Sequence, residues 1–347
     1  MIASAPPRRI AVLGGGVGNA RFLVGLRDWA RTLPEAERPE LTAIVNVGDD
    51  MWLAGLRITP DLDSVMYALA GVNDTERGWG RVGETERVSA EIAAWGVGWP
   101  WFTLGDLDLG AHISRTALLR EGRLLSGVVE RLTARWPLSV RLIPATDAEV
   151  ETHVVTDEGT MHFQEWWTRW RASKPARDFE FRGVAEATPA PGAIEAIEHA
   201  DVILVAPSNP IVSIDPILAI PGIRDAVRNA PAPVVGVSPV IGGAVVRGMA
   251  DACLTARGVE TSALAVARYY GARDAGGVID GWLVDEVDAD AVGALAADGI
   301  RARALPLWFR DGATSIAIAA AALETAAEIA ASPDVPDSSV DHGRMNP

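Results

Sequence analysis

At 347 residues, 49% hydrophobic and 22% charged, the sequence has the composition of a globular protein long enough for one large or two modest domains. Its formal charge of −15 argues against general binding of nucleic acid or an anionic membrane surface, both of which need clustered Lys and Arg. A single cysteine, Cys253, excludes an internal disulfide framework and any cysteine-based metal spacing.

The N-terminal stretch has two Arg but no signal-peptide apolar core, and no run approaches the ~18 uninterrupted apolar residues of a membrane span. A soluble cytoplasmic protein is expected. Residues 9–13 predict a short strand that runs into Gly14, Gly15, Gly16, Val17, Gly18 and Asn19, with a helix over 20–32. Strand, glycine loop and helix N-terminus together suit a phosphate. The loop departs from the dinucleotide fingerprint at Asn19, and no acid stands at the place that would hold a ribose. It also lacks the G-K-[ST] ending of a P-loop.

The apolar run 43–47 predicts a buried strand ending at Gly48, followed at once by Asp49 and Asp50, with Asp61 and Asp63 in a Pro-led turn. In open α/β sheets ligands gather beyond the carboxyl ends of strands. Mg²⁺ bound to substrate phosphates commonly takes one or two carboxylates plus water, so acids at such a strand end suit it. The bland alternative makes Asp49 and Asp50 turn residues and Asp61 a helix cap.

Helices are expected over 64–70, 84–95 and 116–136. Between the last two, Thr103, Asp106, Asp108, His112 and Arg115 form a polar stretch. A strand over 140–143 and a hairpin pairing 152–156 with 161–164 come next, then Trp166, Trp167 and Trp170, for which packing or a subunit contact is the simplest role. From 190 onward helices and strands alternate strictly: helix 193–198, strand 202–206 ending in Pro207-Ser208-Asn209-Pro210, helix 223–228, and strand 234–237 ending in Ser238-Pro239. A helical stretch 248–270, strands 278–284 and 302–305 around a helix 289–297, and a helix 314–331 complete the chain. This order predicts an α/β fold, a Rossmann-like open and mostly parallel sheet with helices on both faces and a smaller, mainly helical insertion. The expected segments are 8–110 and 191–331 for the two parts of the core, 111–190 for the insertion, and 332–347 for a polar, disordered tail.

The motifs GGGVGNARFL, VNVGDD, GLRITPDLDSVMYALAG, LGDLDLGAHISRT, FQEWW, PSNPIVSIDPIL, and SPVIGG with RGMADACL occur in that order over about 10–287. Together they resemble the 2-phospho-L-lactate transferase (CofD) family, in its actinobacterial, FbiA-like form that transfers phosphoenolpyruvate. The resemblance implies a step in coenzyme F-420 biosynthesis. In it, the terminal ribityl hydroxyl of the deazaflavin Fo attacks a guanosine diphosphate ester of enolpyruvate or lactate, and GMP leaves, with Mg²⁺ required.

By the same resemblance, Asp63 contacts metal and the Fo hydroxyl, and Asp49 and Asp50 are metal ligands or, for Asp50, the base. Gly15, Gly16 and Gly18 approach the donor phosphates by backbone. Ser208, Asn209 and Ser213 hold the guanosine diphosphate end, Thr103 and His112 border the deazaflavin pocket, and the protein is a homodimer. Leu107 and Asp215 depart from the family pattern, each lowering local positive charge. Two alternatives remain: a related nucleotide-sugar-binding regulatory protein without transferase activity, and an NAD-dependent oxidoreductase, the latter weakened by Asn19.

Overall fold

The structure is a computed structural model that describes residues 6–246 and 248–331. It is built outward from β1 (Arg9–Gly14), where Ile10, Ala11, Val12 and Leu13 are all buried. A strand with no exposed face needs parallel neighbours and helices on both sides, which is why its sequence is a continuous apolar run. After it, α1 (Gly16–Thr32) crosses to β2 (Glu40–Val45), which pairs in parallel with β1, Ile10 opposite Leu41. A small hairpin follows, β3 (Met51–Leu53) and β4 (Leu56–Ile58), joined through Ala54 and Gly55, both at positive φ. Next, α2 (Pro60–Ala70) starts with Pro60 just after its N-cap, Thr59, and stops at left-handed Gly71.

The chain continues through α3 (Arg87–Ala94), α4 (Asp106–Arg120) and α5 (Leu125–Thr133) to β5 (Arg141–Pro144), which pairs with β2. Three antiparallel strands then make a separate sheet: β6 (Glu151–Thr156), β7 (Gly159–His162) and β8 (Ala176–Arg182). Helix α6 (Ala193–Glu198) returns the chain to β9 (Val202–Val205), on the side of β1 away from β2. A π-helical turn, Pro210–Ile214, leads into α7 (Asp215–Ala219), α8 (Ile223–Asn229) and β10 (Val234–Val237). A two-stranded ribbon, β11 (Val240–Ile241) with β12 (Ala244–Val245), precedes α9 (Ala250–Ala256) and α10 (Ala263–Tyr270). The last elements are β13 (Gly281–Val284), α11 (Ala291–Ala297), β14 (Arg301–Ala304) and α12 (Gly312–Ala330).

The main sheet has seven parallel strands in the order β14-β13-β10-β9-β1-β2-β5. From β1 the chain winds one way to β5, then restarts at β9 and winds the other way. Right-handed crossovers in opposite directions place helices on opposite faces, giving the expected Rossmann-like architecture. One face carries α2, α1 and α12 packed side by side. Helix α12 is long and apolar enough by length and composition to cross a membrane, yet it lies across β9, β10, β13 and β14 with Ile318, Ala322 and Ala326 buried. The reversal between β1 and β9 is the topological switch point, and the crevice beyond the ends of those strands is where ligands bind in such sheets.

Several expectations need correction. Helix α1 starts at Gly16, not near 20, so most of the glycine loop is its first turn. The helical stretches 116–136 and 248–270 are each two helices, interrupted at Gly122 and Gly258, whose positive φ ends a helix. The stretch 111–190 contains β5, an edge strand of the main sheet, and the expected hairpin is a three-stranded sheet completed by β8. Both strands find their partners only through distant chain, β5 pairing across about a hundred positions. The tail 332–347 and Arg247 of the RGMADACL segment lie outside the described residues.

Candidate active site

At the switch point the two strand ends are tied together. Gly15 N–H donates to Ser208 Oγ at 3.1 Å, and the Ser208 hydroxyl donates back to the Gly15 carbonyl at 2.9 Å. A Cβ at position 18 would overlap the Pro207 carbonyl, so Gly18 lets α1 approach the β9 loop. The Asp61 carboxylate lies against the backbone of Gly15 and Gly16. The Gly15 N–H and the Ser208 hydroxyl, expected to hold phosphates, bond to each other's strand-end loops here and shape the glycine loop. Asn209 is used likewise: its oxygen accepts from Ile211 N–H at 3.0 Å and Val212 N–H at 3.4 Å, capping the π-turn, while its amide donates to Cys253 Sγ at 3.4 Å. Ser213 is buried within that turn.

Beside this crevice, at the end of β2, lies a buried acidic centre organised by Asn46. The Asn46 amide nitrogen reaches Asp61 Oδ2 at 2.9 Å, the Val212 carbonyl at 3.1 Å and Asp49 Oδ1 at 3.5 Å, and its oxygen accepts from Gly48 N–H at 2.8 Å. One fully buried side chain therefore joins the β2 end, the α2 start and the turn after β9. Asp49 also accepts from the Gln164 amide at 3.3 Å. Among the described residues neither Asp49 nor Asp61 has a cationic partner; their donors are neutral. Burial, reinforced by Asp61 and Asp50, holds the Asp49 carboxyl well above the usual range, and burial pushes Asp61 up to about 6. Asp50 is also raised by burial, against the opposing pull of Arg57, 3.5 Å away, and Arg115; among the described residues its buried Oδ1 has no partner.

Asp63 belongs to a neighbouring network. Arg115 on α4 clasps Asp63 Oδ1, and Thr59 donates to Oδ2 at 3.1 Å. The second Arg115 nitrogen donates to His112 Nδ1 at 2.9 Å and to the Arg57 carbonyl at 3.2 Å. His112 Nε2 lies 3.3 Å from Asp108 Oδ2, and the Tyr67 hydroxyl donates to Asp108 Oδ1 at 2.7 Å. Burial would raise Asp108, but His112, Tyr67 and Arg115 together hold it below the usual carboxylate range. Asp63, Asp108 and His112 bring three potential ligand atoms within 4.8 Å of one another. The guanidinium of Arg115 already supplies the cation there, so a metal would have to displace a buried ion pair.

The cation-poor acids are Asp49, Asp50 and Asp61. A hard divalent ion with oxygen ligands fits them: it would ionise the raised carboxyls and engage the orphaned Asp50 Oδ1. Of the expected set Asp49, Asp50 and Asp63, the first two lie together at the end of β2, and Asp63 lies in the neighbouring Arg115 network. Asp61, read as a possible helix cap, instead sits beside Asp49 through Asn46, because the first turn of α2 aims Asp61 and Asp63 at different neighbours; Thr59 is the cap position.

Thr103 lines a pocket of about 220 Å³ walled by Leu53, Leu56, Trp99, Phe102 and Leu109. His112 does not line it; it faces the Asp63–Arg115 network instead, so the two residues do not share one cavity. Trp99 stacks on Trp101, ring centroids 4.7 Å apart, and lies 6.0 Å from the ring of His162. Leu107 is exposed on the first turn of α4, and Asp215 is buried against the Tyr269 hydroxyl. Residues whose roles the sequence did not disclose are Asn46, Arg57, Arg115, His162 and Gln164. The spacing of Asp108, His112 and Arg115, one helical face at i, i+4 and i+7, was the available signal for Arg115; the others had none.

The fold and site define a Rossmann-like α/β protein with a buried carboxylate centre beside its switch-point crevice. The family model described as 2-phospho-L-lactate transferase CofD matches residues 10–301, and the chain belongs to that family. It is 52% identical over 332 residues to the phosphoenolpyruvate transferase of Nocardia farcinica, covering 94% of this chain and 97% of that one. It is 53% identical over 327 residues to the phosphoenolpyruvate transferase of Thermobifida fusca, covering 92% and 98%. A crystal structure of a upf0052 family protein from Bacillus halodurans superposes with a TM-score of 0.59 at 19% identity, over 91% of this chain and 99% of that one, a likeness of fold.

Proposed function

We propose that this chain catalyses a transfer step of coenzyme F-420 biosynthesis. It moves the phosphoenolpyruvyl group from enolpyruvyl-diphospho-5′-guanosine, or the 2-phospho-L-lactyl group from the lactyl counterpart, to the terminal ribityl hydroxyl of Fo. The hydroxyl oxygen bonds to the distal phosphorus, the bond to the GMP oxygen breaks, and GMP leaves. The products are dehydro coenzyme F-420-0, or F-420-0, and GMP. The observation that carries the reading is the trio Asp49, Asp50 and Asp61, buried at the end of β2 with Arg57, among the described residues, the one cation in salt-bridge reach. Relatives named phosphoenolpyruvate transferase favour the enolpyruvyl donor.

In this reading Asp49 and Asp61, with Asp50, hold Mg²⁺. The ion supplies charge neutralisation on the phosphate oxygens, the main requirement of phosphoryl transfer. Asp50, the member of the trio next to the Asp63 network, takes the hydroxyl proton. Asp63 is held still by Arg115 and Thr59 and orients the acceptor side. The donor lies in the switch-point crevice along Gly18 and Ser213. The pocket walled by Trp99, Phe102 and Thr103 offers an apolar surface for the deazaflavin ring. A cytoplasmic homodimer completes the proposal, following the family resemblance.

The test is a mass-spectrometric assay of the purified chain with Mg²⁺, Fo and each guanylylated donor, beside an EDTA control and Asp61→Asn. Product and GMP appearing together, and lost in both controls, are expected. No product from either donor, with nucleotide still bound, would sink the transferase reading and leave the regulatory one.

A further inference from the structure

The small antiparallel sheet lies outside the main sheet, yet it grips the acid-bearing loop at three successive residues. Thr152 N–H on β6 donates to the Gly48 carbonyl at 2.6 Å. His162 at the end of β7 accepts Gln164 N–H on Nδ1 at 3.1 Å, which puts its ring proton on Nε2, 3.3 Å from the Asp50 carbonyl. The Gln164 side chain then donates to Asp49 Oδ2 at 3.3 Å.

An amide can present either end, and here one end is selected: Thr168 Oγ1 lies 3.5 Å from Gln164 Oε1, donating to it, so the NH₂ group faces the carboxylate. Asn46 provides the matching amide on Asp49 Oδ1. Each Asp49 oxygen therefore meets a neutral donor that fixes its direction without supplying the positive charge the carboxylate lacks. That arrangement orients a ligand while leaving it able to bind a cation.

We propose that Gln164 is a positioning residue for the acidic centre: held by Thr168, its amide sets the orientation of the Asp49 carboxylate, and β6–β7 is the clamp that holds the loop to it. The proposal rests on the reading of Asp49, Asp50 and Asp61 as a divalent-cation site. The test is titration of the purified full chain with Mn²⁺, bound and free ion being read by electron paramagnetic resonance, which needs no turnover. Gln164→Met keeps the length and loses the donor; Thr168→Val keeps the donor and frees it to rotate.

Mn²⁺ affinity is expected to fall about tenfold in Gln164→Met, the scale usual for groups that orient a metal ligand. It should fall by less in Thr168→Val, with the metal-free thermal midpoint near that of the unaltered chain in both. Thr168→Val carries the test alone if Gln164→Met does not fold. Unchanged affinity in the folded variants would overturn the positioning role and leave the cation site standing. A wild-type chain that binds no Mn²⁺ would overturn both.

Discussion

Gly15 and Asp61 are packed so closely that a Cβ at position 15 would overlap the Asp61 carboxylate. The glycine loop is thus one wall of the acidic centre. Gly15→Ala must push Asp61 out of line with Asn46 and Asp49, with an overpacking cost of about 1–3 kcal/mol. Denaturant unfolding should show that loss, and Mn²⁺ titration a weakened site. Gly110→Ala on α4 meets nothing within 4 Å and serves as the control, expected to be neutral or slightly stabilising.

Asp61→Asn separates the folding cost of the centre from its use. The substitution removes a buried carboxyl that lacks a cationic partner, so the metal-free chain should melt higher than wild type. Stabilisation by Mg²⁺ should shrink, and transfer to Fo should fall by more than the roughly 10–100-fold typical of residues behind a metal ligand. Thermal melts with and without Mg²⁺, together with GMP release, measure all three. A variant that melts lower yet keeps its Mg²⁺ response would contradict the assignment.

The pH dependence has a definite sign. Asp61 is pushed up to about 6 by burial, and Asp49 and Asp50 are raised for the same reason, so the folded chain binds more protons than the unfolded chain above the ordinary carboxylate pKa of 3.8. The stabilising contribution of Asp61 is complete below that value and is lost as pH rises through about 6, and Asp49 and Asp50 act in the same direction. Without metal, this centre favours folding more at pH 5 than at pH 7. Mg²⁺ reverses the trend, because it binds the ionised form and releases protons. Melting curves at several pH values should show the metal-induced shift growing from pH 5 to pH 7.

Arg115 and Asp63 are a buried pair, each only a few per cent exposed. Arg115→Met leaves Asp63 without its cation and should cost about 3–5 kcal/mol. Adding Asp63→Leu should recover most of that stability, since an apolar replacement for a buried ion pair is often neutral. Transfer activity should stay lost in the double variant. Equal losses for the single and double variants in urea unfolding would show that the pair is not coupled as described.

The sequence by itself determined the elements that local patterning controls. Continuous apolar runs marked the central strands, because a strand covered on both faces has no polar positions. Gly and Pro marked the strand ends, and the motifs carried the family, which the comparison over residues 10–301 bears out. The acids at 49, 50, 61 and 63 were visible together for the same reason: they fall within fifteen consecutive residues.

Only the tertiary structure decided which of those acids act together. Asp61 and Asp63 are two residues apart on one helical turn, yet Asp61 meets Asn46 while Asp63 meets Arg115, fifty-two positions later. The Asn46 amide reaches the Val212 carbonyl from 166 positions away, and Gln164 reaches Asp49 from 115. A carboxylate behaves as a metal ligand, a base or half of an ion pair according to the charges and donors that surround it after burial. Those neighbours come from β9, α4 and the small sheet, whose positions depend on packing between distant segments and leave no local pattern in the chain.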